Sequence, residues 1–374
     1  MSDLEVETAT LSAIKTLYPP CCLQILPDNE HILVGTYELQ KESGKRIGSI
    51  DLYRFDASTN KLSLVYRFSD NVSAILDLKL NGMNKFVTAH STGELRLWEY
   101  IFDGEKTFEL KLVQKYQVFQ SDVLVTSCHI RNGYGSSENN IPEGNEVLCT
   151  GTNGELKLVD LSQYTENNVS ESVYEFDSAH SLECWTAEFG KLAPLENCVL
   201  SGGDDSVVKL FDTRTRNEVW SNSRIHEAGV VAIKCASPSF RNSRPTSILT
   251  GSYDDNIRSF DLRMLSATTI YPGTMPPTNT KSKNLGGGVW RFVENPFYAQ
   301  DPTVDEILVC CMYNGAKVVK IFDEDELEQN EESIFKEQNY VKKGHDSMCY
   351  GGDWSKSFIA TCSFYDNKLQ VWRP

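Results

Sequence analysis

His345 is the side chain best placed to move a proton near neutral pH, because imidazole titrates there and the residue heads the last strand-like stretch, GHDSMCYGGDW. Glu183, in HSLECW, offers a loop carboxylate beside Trp185, where its pKa can be raised or it can pair with a cation. Cys362 and Ser363, in TCSFYD, supply a thiol and a hydroxyl for nucleophilic attack. Gly286, Gly287 and Gly288, in LGGGVWR, let backbone N–H groups approach a ligand as a nest for an oxyanion. A base, a nucleophile and oxyanion donors are the parts that ester hydrolysis needs. Neither G-x-S-x-G nor H-E-x-x-H occurs, so the two commonest hydrolase templates are absent and the fold must supply its own arrangement. Each residue also has an ordinary structural use: His345 as a brace through Asp366, Glu183 as a solvated loop residue, Cys362 as a small buried hydrophobe, and the glycines as a tight loop.

What must position these residues is a repeated unit. Seven segments end in an aliphatic alternation closed by Tyr53, Trp98, Val159, Phe211, Phe260, Phe322 and Trp372, a period of about 50 residues that marks an array. Two intervals are enlarged by stretches with loop chemistry, 132–145 (NGYGSSENNIPEGN) and 271–284 (YPGTMPPTNTKSKN). Within a unit the order is an alternating strand, a β-branched strand, a tight turn and the capped strand. In VLSGGDDSVVKLF and ILTGSYDDNIRSF a hydroxyl residue (Ser201, Thr250) precedes an aspartate (Asp205, Asp254), with His180 and His226 upstream. His345 and Asp366 repeat the pattern in the last unit, whereas Asn314 holds the turn of the unit ending in Phe322, whose bracing must differ.

This pattern resembles the WD-repeat family, whose His, Ser/Thr, Asp and aromatic residues brace each blade of a propeller. The expected fold is all-β, a seven-bladed β-propeller forming one domain over 1–374. The last unit stops after three strands at Pro374, and 8–17 can supply its fourth, closing the ring without an open edge.

The chain carries 36 Lys and Arg against 52 Asp and Glu, a net charge of −16, which gives no broad attraction to nucleic acid or anionic lipid. The acidic run 323–332 reads as a solvated loop. No apolar run approaches a membrane span and the N-terminus lacks a leader pattern, so a cytoplasmic protein is expected. The 11 cysteines are odd in number, lack C-x-x-C and lie in strand-like runs, as free buried thiols do.

From about Leu33 to Trp372 the chain is similar to one WD-repeat family, the diphthine methyl ester hydrolases, known by the older name diphthine methyltransferase. The likeness rests on GTYE, AHSLECWTAEF, SGGDD with FDTR, TGSYDD with FDLR, LGGGVWRF, VCCMYNG, HDSMCYGGDW and TCSFYD, in that order. The resemblance implies removal of a methyl ester from methylated diphthine on translation elongation factor two, releasing methanol and diphthine for amidation to diphthamide. It implies that factor as partner; no cofactor is expected and no metal ligand is assigned, the metal requirement staying open, and a monomer is expected.

The implied substrate carries a trimethylammonium group, which favours aromatic faces and nearby carboxylates. Trp185, Trp290, Tyr350 and Tyr365 are expected near one face, with Glu183 and Asp353 as counter-charges; aromatics at blade tops also pack between blades. Two other functions compete with the esterase: a non-catalytic adaptor for protein complexes, and a peripheral endosomal scaffold recruited through a protein receptor, since the acidic charge opposes lipid binding.

Overall fold

In the computed structural model, which describes residues 6–102, 108–131, 142–165, 172–262, 276–298, 304–323 and 333–374, the repeated units form seven separate antiparallel sheets. Their innermost strands are Pro20–Ile25, Ile75–Leu80, Val125–Ile130, Cys184–Phe189, Val230–Cys235, Arg291–Glu294 and Cys349–Trp354, taken here as blades 1 to 7. Each of these strands packs against the innermost strand of both neighbouring blades, which closes a seven-bladed β-propeller around an axial channel. The second strands are buried over most of their length, and wholly in Cys198–Gly203 and Ser247–Ser252, because both of their faces meet another blade. The outermost strands have water on one side, and Phe108–Gln117 is accordingly exposed at most positions, with Glu109, Lys111 and Lys115 among them.

The N-terminal segment closes the ring. Thr10–Lys15 pairs antiparallel with Lys368–Trp372 as the fourth strand of blade 7. Just before it, Val6–Glu7 adds a parallel fifth strand to blade 6 by pairing with Phe335–Val341, a contact the sequence did not announce because two residues carry no periodicity. One segment therefore ties the last two blades together.

Two expectations change. Of the stretch read as a loop, 278–284 is the outermost strand of blade 5, Thr278–Asn284, paired with Asn256–Asp261. Its residues are mostly exposed, so no apolar alternation was needed to place a strand there. In blade 6 the buried cap is Val319, in register with Phe260 and Trp372 of the other blades, whereas Phe322 lies at the half-buried strand end. KVVKIF offered several aliphatic choices and the aromatic one was misleading. Residues 132–141, 271–275 and 324–332 of the three polar stretches lie outside the described residues.

The bracing residues explain the repeat chemically. His180 lies 2.9 Å from Asp205 and 2.8 Å from Ser201 Oγ; His226 Nε2 lies 2.8 Å from Thr250 Oγ1. His345 Nε2 sits 2.9 Å from Thr361 Oγ1, which also accepts the Trp372 indole N–H at 3.2 Å. Blade 2 reaches the same end differently, with His90 of its second strand 2.7 Å from Thr88, the acceptor for Trp98 Nε1. In blade 6, Asn314 replaces the aspartate and donates to Leu285 O at 2.8 Å.

His345→Ala should lower stability by about 1–3 kcal/mol, because Thr361 and the buried cavity lose their partner. Burial holds the His345 imidazole down at about 4 in the folded protein, against about 6.5 when unfolded. Its contribution is therefore complete above about pH 6.5 and is lost as pH falls toward 4. Calorimetric melting should show this decline, less steep in His345→Gln; identical profiles would refute the bracing role.

Candidate active site in the axial channel

The innermost strand of each blade is a sheet edge, so its outward N–H and C=O groups need partners from elsewhere. Side chains of the adjoining blade provide them. Asp77 Oδ2 accepts from Cys128 N at 3.1 Å, Gln24 Oε1 from Leu80 N at 2.5 Å, and Asp353 Oδ2 from Ile25 N at 2.7 Å. Polar residues are thus drawn onto strands that would otherwise be wholly apolar, and of these Asp77 and Gln24 also line the channel.

Strand register sorts these residues into layers. One position into the innermost strands stand Trp185 and Tyr350, with Trp290 at the matching place in blade 6; the next position holds Asp77, Thr186 and Arg291; two further on come Lys79, His129, Glu188 and Lys234. The channel lined by the lower layers and Tyr350 encloses about 150 Å³, room for a small headgroup rather than a folded peptide.

The mouth is aromatic. Trp290 stacks on Tyr350 with ring centres 4.7 Å apart and on Tyr253 at 6.0 Å, and meets Trp185 edge-on at 5.7 Å. Tyr350 continues the arc to Phe364 at 5.0 Å. Trp290 is thereby buried, with the Arg291 guanidinium 5.9 Å from its ring centre, and the half-buried rings of Trp185, Tyr253 and Tyr350 are the ones that reach solvent. Trp290 Nε1 is buried and has no acceptor among the described residues. Asp204 accepts the Trp185 indole N–H at 3.4 Å, and the charges of Asp204 and Glu183 add to burial in pushing the Tyr253 phenol up.

Below the arc the channel is charged. Arg291 reaches across from blade 6 to Asp77 of blade 2 at 3.5 Å, while Lys79 binds the same carboxylate at 2.7 Å. Burial alone would raise the Asp77 carboxyl, but Arg291 and Lys79 outweigh it and hold it at about 2. Lys234 pairs with Glu294 at 2.5 Å, and Lys191 with Glu188 at 3.5 Å. Burial pushes the His129 imidazole down to about 4, so it is neutral at pH 7. Its Nε2 lies 3.3 Å from Ser127 Oγ.

A diphthine methyltransferase of Saccharomyces cerevisiae is 45% identical to this chain, with 98% of each sequence aligned. The chain belongs to the diphthine methyltransferase family. Proteins of the same name from Schizosaccharomyces pombe (29% identity, 91% of this chain and 90% of the other) and Homo sapiens (26%, 84% and 63%) are also similar. No protein-family profile matches the sequence. Among solved structures, a chain in a crystal structure of a mitotic checkpoint complex superposes with a TM-score of 0.64 at 14% identity, covering 100% of this chain and 94% of that one, a likeness of fold alone.

For a member of that family, the sequence-derived site residues fall into two groups. Trp185, Trp290 and Tyr350 come together at the mouth, with Glu183 half-buried beside them, and Tyr365 lies farther out, packed edge-on against Phe364 and 67% exposed. The other assignments need correction. His345 is 1% exposed and committed to Thr361, so it braces blade 7 instead of serving as a base. Cys362 is fully buried, its thiol pushed well up by burial and directed at Pro20 O, and Ser363 is fully buried and donates to Asp366; neither is an available nucleophile. Asp353 is fully buried between blades 7 and 1, and not a counter-charge at the mouth.

Packing also accounts for the three glycines. A Cβ on Gly287 would lie 2.3 Å from Cys311 O and one on Gly288 2.6 Å from Met312 Sδ, while Gly286 has φ +77° and donates its N–H to Asn284. The loop is tight because blade 6 leaves no space, so the oxyanion nest loses its first donor. Sequence reasoning passed over Arg291, Asp77, Lys79 and His129. The available signal was charge at alternate positions of otherwise apolar innermost strands, as in ILDLKL.

Tyr350→Leu, which keeps apolar bulk but removes the π face, should weaken binding of a quaternary ammonium compound by about 5- to 30-fold, the equivalent of about 1–2 kcal/mol. Calorimetric titration checks this, and unchanged affinity would exclude the mouth as a cation site.

Proposed function

We propose that this protein is a carboxylic ester hydrolase that removes the methyl ester of methylated diphthine on translation elongation factor two, giving methanol and the diphthine that is then amidated to diphthamide. One observation carries the reading: the half-buried rings of Trp185, Tyr253 and Tyr350 gather around Trp290, whose ring centre lies 5.9 Å from the Arg291 guanidinium, and Tyr350 and Arg291 line one narrow channel. The substrate has a trimethylammonium group and an ester on the same carbon. The rings suit the cation, and Arg291, the next layer down, suits the ester oxygens and the carboxylate that replaces them.

The charges are compatible with that placement. Asp77 neutralises Arg291, and Glu183 and Asp204 at the mouth favour entry of a cationic side chain. Around the rim, Leu182, Tyr313 and Tyr365 are 51%, 59% and 67% exposed, apolar surface on which a protein substrate can rest while one modified side chain enters the channel. The modified histidine would then act as a probe that only an extended, flexible side chain can imitate.

Incubation of the purified protein with elongation factor two bearing the methyl-esterified intermediate should remove the mass of one CH2 group from the modified peptide and release methanol. An unchanged peptide mass at stoichiometric enzyme would refute the hydrolase reading and leave the adaptor function standing.

A further inference from the structure

The esterase reading leaves open which group activates the attacking water. All 11 cysteines are buried and free, and where burial shifts their thiols the direction is upward, as for Cys22, pushed up to about 12. The six histidines can be compared one by one. His31 is held by Asp28 at 2.6 Å, His90 by Thr88 and Ser73 at 2.7 and 3.0 Å, and His180 by Asp205 and Ser201 at 2.9 and 2.8 Å. His226 and His345 are held by Thr250 and Thr361 at 2.8 and 2.9 Å. Of the six, His129 alone lines the channel, and its one hydrogen-bond contact among the described residues is the 3.3 Å approach to Ser127.

Arg291 is the matching electrophilic group. It is half-buried in the same channel, where its guanidinium lies 5.9 Å from the centre of the Trp290 ring and makes only the long 3.5 Å polar contact to Asp77 among the described residues. Asp77 does not need it, since Lys79 and the backbone N–H groups of Leu78 and Cys128 already bind that carboxylate. Donor positions on Arg291 remain free for a ligand. Its neighbour Trp290 also holds an indole N–H without an acceptor.

We propose that His129 is the general base of the ester hydrolysis and that Arg291 binds the ester carbonyl oxygen, an assignment that rests on the esterase reading. His129 takes a proton from water as the water oxygen bonds to the ester carbon, and the C=O π electrons move onto the oxygen held by Arg291. Collapse of this intermediate breaks the bond to the methoxy oxygen, which receives the proton from His129 and leaves as methanol. The new carboxylic acid ionises to solvent, and the carboxylate stays beside Arg291. His129 faces Glu188 of blade 4, Lys79 and Asp77 of blade 2 and Arg291 of blade 6, and burial outweighs the two carboxylates to keep the imidazole neutral. The base is then available well below the pH at which an ordinary histidine protonates.

The test compares wild type with His129→Gln, His129→Asn and Arg291→Gln, on elongation factor two carrying the methyl-esterified intermediate. The two His129 variants should lose about 10²- to 10⁴-fold in kcat, and Arg291→Gln about 10²- to 10³-fold. Melting temperatures should be unchanged, and affinity of the His129 variants for the esterified factor should stay within about 3-fold of wild type. Wild-type kcat/KM should stay level from about pH 8 down to about 5.5, where a base of ordinary pKa, about 6.5, would already have lost most of it. If wild type turns over and either His129 variant keeps its kcat, or loses it only in step with binding, the assignment is overturned while the esterase reading survives. A wild type without turnover overturns both.

Discussion

The innermost strand of every blade ends a sheet, and that edge faces the axis of the ring. Backbone groups on such an edge cannot be left bare inside a protein, so polar side chains must come to them. Asp77, Gln24 and Asp353 do this by reaching to the next blade, and the same requirement brings carboxylates into the channel. Carboxylates bring cations in turn: Lys79 and Arg291 to Asp77, Lys191 to Glu188, Lys234 to Glu294. The charged hub is thus a consequence of closing a ring of sheets, and it becomes chemically useful where one pairing is loose. Arg291 is that place.

The distribution of histidine follows from the same economy. In blades 4, 5 and 7 the repeat motif commits an imidazole to a hydroxyl between the second strand and the loop, and blade 2 reaches the same result from a different position. A histidine locked in this way packs within its blade and does not line the channel, so it is not placed to take a proton from a water attacking a bound substrate. The conspicuous motif therefore marks where the protein is held together, and the groups proposed for the chemistry, His129 and Arg291, line the channel farther in, where the sequence looks plain. The aromatic arc separates the two regions, packing the tops of blades 4 to 7 while leaving the rings of Trp185, Tyr253 and Tyr350 partly open.

The architecture was legible because it depends on periodicity and on chain closure: seven capped strands, a final unit one strand short, and a matching segment at 8–17. The aromatic mouth was legible too, since HSLECW, LGGGVWR and GHDSMCYGGDW each lead into an innermost strand. What failed was inference from a residue's type to its role. His345, Cys362, Ser363 and Asp353 have chemically able side chains, and only three-dimensional packing shows that each is already occupied. Arg291 and Asp77 were illegible for a different reason. They are 214 positions apart and lie on opposite sides of a ring, so no spacing along the chain could have paired them.

The account stands on the hub of the ring being the place where an esterified cationic side chain binds. A crystal structure of the protein with a peptide carrying diphthine, the reaction product, examines this most directly. The trimethylammonium should lie against Trp185 and Tyr350, with the carboxylate on Arg291 inside the channel. A peptide bound on the outer blades, or one whose modified side chain points away from the channel, would contradict it.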